Sequence, residues 1–131
     1  MPEKRRRWMP LRTSAGQEPV RTEIEGLPLL AQVALEAAMQ RYERCEELGR
    51  EVKQVGHIDA GGQRWVLREL RLTSQGQEIR LLFVRLGAYD HVCLGLAVFS
   101  KKTKALPLPM RERAAGRLQL WLAERQNHRN P

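Results

Sequence analysis

Arg68, Arg71, Arg80, Lys101 and Lys102 are the residues whose types and placement point to chemistry in this chain. They fall on, or at the ends of, three consecutive apolar strand candidates. These are W-V-L-R-E-L-R-L from Trp65, Q-E-I-R-L-L-F-V from Gln77 and H-V-C-L-G-L-A-V-F-S-K-K-T from His91. A small sheet with cations on otherwise apolar strands is suited to holding a polyanion. RNA cleavage without a metal needs three things: a 2′-hydroxyl that loses its proton, a charged phosphorane that is stabilised, and a leaving 5′-oxygen that gains a proton. Arginine suits the second task, because its planar fork pairs with two phosphate oxygens and stays charged. Lysine assists there, and acts as a base where neighbouring cations lower its pKa. A purely structural role is also open to these cations, since Glu69 and Glu78 are within reach as partners.

Other chemistries lack their signatures. His57, His91 and His128 are far apart and do not show zinc-ligand spacing, so no metal or cofactor is expected. There is no phosphate-cradling P-loop, dinucleotide glycine signature or nucleophile elbow. Ser100 and Lys101 are adjacent on a strand and so point to opposite faces, which disfavours a Ser–Lys pair. Between Arg50 and Gln63, Glu51–Val55 reads as a short extended piece and His57–Gly62 as a mobile loop hinged at Gly61-Gly62. From such a loop His57 is a candidate acid or base. His91 lies at the far end of its strand from Lys101. Trp65 and Trp121 read as core residues before base-stacking platforms.

The elements that must position these side chains follow from periodicity. Met1–Arg7 is a basic leader, and Trp8–Thr13 suits a first strand at the sheet edge. Glu18-Pro19 opens a helix that Gly26 ends. A second helix is predicted from Pro28 to Leu48, with Leu27, Ala31, Ala34, Ala38, Tyr42 and Cys45 as its apolar stripe and Gly49 as its left-handed stop. Short Gly turns separate the three strands, so they form an antiparallel meander. The continuous apolar runs Ile79–Val84 and Val92–Phe99 predict central strands, buried on both faces. Leu106-Pro107-Leu108-Pro109 links to a last helix, Pro109–Arg125, and residues 126–131 read as a disordered tail. The expected fold is α+β: a helical hairpin, a curled antiparallel sheet with a possible N-terminal edge strand, and a C-terminal helix. Residues 1–13 are read as leader and 14–125 as one domain.

Composition narrows the partners. The chain has 131 residues, 42% of them hydrophobic, which suits one globular domain with a real core. No apolar run approaches a membrane span, and the basic start has no apolar stretch behind it. Cys45 and Cys93 fall in a helix and a strand and read as buried thiols in a reducing, cytoplasmic setting. A net charge of +8 and a pI near 10.3 favour nucleic acid as the anionic partner. Arg68, Lys104, Arg113 and Arg117 are the further candidates for RNA contact.

Four segments, in order, resemble the RelE/HigB superfamily of type II toxins, in particular its phage-derived HigB-like branch. G-Q-E-P-V-R-T-E-I-E-G-L-P (Gly16–Pro28) is similar to the opening before that family's helical hairpin. L-R-E-L-R (Leu67–Arg71) and I-R-L-L-F (Ile79–Phe83) resemble two of its strands, and V-F-S-K-K-T-K-A-L-P (Val98–Pro107) its basic strand exit. The resemblance implies a RelE-like fold and a ribosome-dependent mRNA endonuclease that inhibits translation. It also implies neutralisation by a helix-turn-helix antitoxin, within a possible toxin–antitoxin heterotetramer. The family's active-site arginines carry over to Arg71 and Arg80, and its basic exit to Lys101 and Lys102. The chain departs from the pattern at Phe83, where Tyr is common. It departs again in the last helix, where Leu118, Trp121 and His128 occupy the region in which relatives often offer Tyr or His.

Two rival readings share the fold. One is a ParE-like protein that inhibits DNA gyrase and cuts nothing. The other is a non-catalytic RNA- or antitoxin-binding relic. Fold alone does not choose among them.

Overall fold

A computed structural model describes residues 6–46, 51–87, 91–101 and 106–129, with side chains through residue 126. In chain order the elements are β1 (Arg7–Met9), α1 (Pro19–Glu25), α2 (Leu29–Glu43), β2 (Val52–Ala60), β3 (Gln63–Ser74), β4 (Gln77–Leu86), β5 (Val92–Ser100) and α3 (Leu108–Arg129). The fold is α+β, as the pattern predicts. The five strands form one sheet in the order β1-β5-β4-β3-β2, antiparallel throughout except for the parallel β1–β5 pair at one edge.

The meander has one strand more than its three apolar runs suggest. Val52–Ala60 is a full strand paired antiparallel to β3, so the expected His57–Gly62 loop is corrected. Gly61 (φ +59°) and Gly62 (φ +75°) form a two-residue hairpin turn with both φ angles positive, the turn whose twist matches flanking strands. Gly-Gly here is a hairpin signal, and Ile58 and Ala60 supply the inward alternation that the polar residues around them mask.

α2 is shorter than its pattern predicts. It ends at Glu43, with Arg44 as cap. Cys45 takes the left-handed conformation at φ +57°, and the backbone N–H groups of Cys45 and Glu46 reach back to the carbonyls of Tyr42 and Arg41. That pair of bonds is a Schellman motif. Gly49 is therefore not needed as a stop, and it lies with Leu48 outside the described residues. The buried stripe is Ala31, Leu35, Ala38 and Tyr42. At the other end of the chain α3 continues to Arg129 instead of stopping at Arg125. No Pro or Gly intervenes between Arg125 and that point, and Arg125 suits the negative end of a helix dipole.

The two faces of the sheet have different cover. α1 and α2 pack on one face, against β5 and β3. Phe83 is fully buried there, with its ring edge-on to Trp8 at 5.0 Å and to Tyr42 at 5.3 Å. Trp8 also ties β1 to α2, donating from its ring N–H to the Met39 carbonyl at 2.9 Å. Burying each such aromatic or Leu side chain contributes roughly 1.5–3 kcal/mol.

α3 occupies the other face and packs against both β2 and β5. Arg111 in its first turns lies against Gly56, and Leu122 in its later turns lies against Gly61, both on or beside β2. Arg117, between them, donates to the Leu96 carbonyl on β5 at 2.9 Å. A helix that runs along β2 while touching β5, three strands away, requires the sheet to curl around it. Among the described residues no helix is long and apolar enough to cross a membrane.

Candidate active site

Register decides which cations meet. Arg71 on β3 is the direct partner of Arg80 on β4, and Arg80 is in turn opposite Phe99 on β5. Alternation puts Glu69, Arg71, Arg80, Phe99 and Lys101 on one face, the concave α3 side. The three cations therefore converge on one end of that face, around the Glu69 carboxylate.

This arrangement is largely buried. Glu69 is 0% exposed, Arg80 6% and Lys101 8%, while Arg71 is half-buried and is the member of the group most open to solvent. Arg80 Nε lies 3.2 Å from Glu69 Oε1, and Lys101 Nζ lies 4.0 Å from the same oxygen. The Arg80 N–H is not aimed along that contact, so it is an ion pair without an aligned hydrogen bond. Arg80 also donates to the Ile79 carbonyl at 3.1 Å and to the outer Glu78 carboxylate at 3.2 Å. An isolated buried carboxylate is strongly disfavoured, and the two buried cations offset that cost for Glu69. In return Glu69 fixes where the cations stand. Lys101 is further held by its backbone N–H, which donates to the Glu78 carbonyl at 2.8 Å.

A fourth cation joins this face from α3. The Arg111 guanidinium lies so close to Gly56 that a Cβ there would overlap it. Gly56 has φ +131° and stands where the β2–β3 register shifts by a bulge. Glycine is thus required both for backbone conformation and for the approach of the arginine. Sequence reasoning passed over Arg111. The signal was there: it shares the 3–4-residue spacing of Ala114, Ala115, Leu118 and Leu122, a cation on an otherwise apolar stripe.

The remaining candidates go elsewhere. His57 is exposed and pairs with Val66, on the face opposite Arg71 and Arg80, so it is no acid or base for that cluster. Arg68 pairs with Phe83, also on the α1–α2 face. Arg113 and Arg117 both bind Glu23: Arg117 by two bonds of 2.9 Å, Arg113 at 3.1 Å. Glu23 also accepts from the Val98 backbone N–H at 2.9 Å. β1 pairs with β5 only from Val92 to Leu94, and Glu23 and Arg117 close the β5 edge beyond that point. These two arginines therefore form a staple between α1, α3 and the sheet. Lys102 and Lys104 lie outside the described residues. Phe83 faces α2, so a hydroxyl at its position would not reach the arginine pair. Among the described residues no group of three or more His, Cys, Asp and Glu side chains gathers at metal-binding distance.

Among curated proteins none matches this chain significantly. One protein-family model does match, described as phage derived protein Gp49-like (DUF891), over residues 22–119. That span runs from within α1 through the whole β2–β5 meander and into the second half of α3, so it includes Glu69, Arg71, Arg80, Lys101 and Arg111. With most of its length covered, from the helical hairpin to the helix that fills the sheet, the chain belongs to the phage-derived Gp49-like family of the RelE/HigB-type toxin-like group.

Proposed function

We propose that this protein is the toxin of a type II toxin–antitoxin system, of the HigB-like kind, and cleaves ribosome-bound mRNA without a metal. The observation that carries the reading is the direct pairing of Arg71 with Arg80 on the concave face, with Lys101 and the buried Glu69 beside them. Arg71 has the exposure to meet a phosphate. Arg80 and Lys101 stand behind it as fixed positive charge, so little reorganisation is needed when the phosphorane gains charge. Arg71, Arg80, Lys101 and Arg111 outnumber Glu69 and the outer Glu78, so the cluster is net positive, as a site for a charged phosphorane requires. Proton transfer falls to groups of the ribosome or the message, because His57 faces away. A helix-turn-helix antitoxin would be the neutralising partner, in the cytoplasm.

The test is cleavage of a defined message in a reconstituted translation mixture, by the wild type and by Arg71→Ala. Cleavage by the wild type, reduced about 100–1,000-fold in the variant, is the expected result. Naked message should stay intact. A wild-type protein that leaves ribosome-bound message whole but blocks supercoiling by gyrase would replace this reading with the ParE-like one.

A further inference from the structure

The far end of the concave face holds a second cationic feature that the arginine pair does not use. A cleft of about 700 Å³ lies between the C-terminal half of α3 and the strand ends, with Trp65, Trp121, Arg7, Arg125, Gln63 and Gln126 on its walls. Its size suits a ligand of a nucleotide or two. No carboxylate lines it among the described residues, whereas smaller cavities of about 330 and 140 Å³ carry Glu18 and Glu124 respectively.

The cleft is also built in a particular way. The Trp65 ring N–H is spent on the Ala60 carbonyl at 3.0 Å, which fixes that indole beside the β2–β3 turn. The Arg125 guanidinium lies over the Trp121 ring at 4.5 Å and is itself exposed, so together they present a flat cationic platform. Gln119 secures the turn from α3, its side-chain carbonyl accepting from the Gly61 N–H at 2.7 Å. Both indoles are half-buried and pack against the core. Indole faces and arginine planes are what unpaired bases stack on, cations serve the backbone, and side-chain amides serve base edges.

The geometry points to this cleft as a stacking subsite for single-stranded RNA. The inference rests on the RNA reading above and deepens it: the site takes nucleotides of the message away from the scissile phosphate. Trp65 and Arg71 share a face of β3 six residues apart, so about 20 Å separates cleft from cluster.

The experiment uses the full chain and a fluorescently labelled RNA hexamer whose 2′-hydroxyls are methylated, so that it binds without being cut. A base-free ribose-phosphate hexamer of equal charge serves as the second probe. Binding of the methylated RNA should quench tryptophan fluorescence, and Trp121→Leu should weaken it about ten-fold with little sequence preference. The base-free probe should bind more weakly, be indifferent to Trp121→Leu, and lose affinity in Arg125→Gln. Arg125 is exposed, so its variant reports on the cleft even if Trp121→Leu misfolds. Unchanged RNA affinity in Arg125→Gln and in folded Trp121→Leu overturns the subsite. So does an oligoglutamate peptide that displaces the RNA at matched charge, since the cleft would then be a surface for an acidic protein. If those results come with normal message cleavage on ribosomes, the subsite alone has failed. If the wild type neither binds RNA nor cleaves, the RNA reading has failed with it.

Discussion

Arg80 Nε stands 3.2 Å from Glu69 Oε1, both side chains buried on the concave side of the sheet. Neither can lose the other without leaving a charge in a place water does not reach. Removing one partner of a buried pair typically costs about 3–5 kcal/mol. Glu69→Ala should fall in that range, because it removes the buried counter-charge of Lys101 and leaves Arg80 with only the outer Glu78, whereas Glu69→Met with Arg80→Met should recover part of the loss. Urea unfolding of the single and the double variant beside the wild type checks this. A single variant as stable as the wild type would show that the pair is hydrated.

The same pairing makes Arg71 the cleaner catalytic test. Arg80→Ala removes a stabilising partner as well as a charge, so loss of activity there mixes two effects. Arg71→Ala should leave the melting temperature within a few degrees of wild type and still abolish growth arrest. RNA affinity should fall steeply with salt, and the slope of log affinity against log salt should shrink by about 0.7–0.9 for each phosphate the variant no longer neutralises. An Arg71→Ala protein with unchanged growth arrest and unchanged slope would move the site elsewhere.

Arg117 is expected to act in stability, not in binding. Its two bonds to Glu23 and one to the Leu96 carbonyl close the open part of the β5 edge. The side chain is 21% exposed, so the ion pair is partly screened, and Arg117→Ala should cost about 1–2 kcal/mol. RNA affinity per folded molecule should not change. Thermal unfolding read beside RNA titration separates the two, and intact stability with weakened binding would reverse the assignment.

The strands were legible where they were continuously apolar. Ile79–Val84 lies between β3 and β5, and Val92–Phe99 is buried along most of its length although β1 covers its edge only from Val92 to Leu94. β2 was hidden because it is the outer strand, with exposed Lys53, Gln54, His57 and Asp59 and a bulge at Gly56 that breaks its alternation. The pairing of Arg71 with Arg80 was within reach of the sequence, since the tight Gln75-Gly76 turn fixes the β3–β4 register. The depth of Glu69 was not. Nothing local marks a carboxylate as buried when its partners come from two other strands. Arg113 and Arg117 looked like a basic stripe because Glu23, far away in the chain, is brought to them only by packing.

Cys45 offers a gain in stability. It holds φ +57° at the Schellman position, where an L side chain is strained and glycine is at ease. Cys45→Gly should stabilise the fold by about 0.5–1 kcal/mol, raising the midpoint by about 2–4 °C. Differential scanning calorimetry measures this directly. A drop in midpoint would mean that the contacts of the thiol outweigh the backbone strain.

Cys93 sets a limit at alkaline pH. Burial pushes its thiol from an ordinary value of 9.0 up to about 12, against the pull of Arg6, Arg85 and Arg68. The folded state thus keeps a proton that the unfolded chain gives up. A raised pKa adds stability that is whole below pH 9 and is lost as pH rises from there through about 12. By pH 10 the loss is about 1.4 kcal/mol, one pKa unit's worth. Cys93→Ala has no thiol to ionise in either state, so its stability should fall less between pH 8 and pH 10, by about that amount. Urea unfolding of both proteins at the two pH values gives the comparison, with Cys45 unchanged in each. Equal losses would place the Cys93 thiol within reach of water. Labelling at pH 8 offers an independent check: native protein should take up a thiol reagent at half-exposed Cys45 and resist it at Cys93 until unfolded.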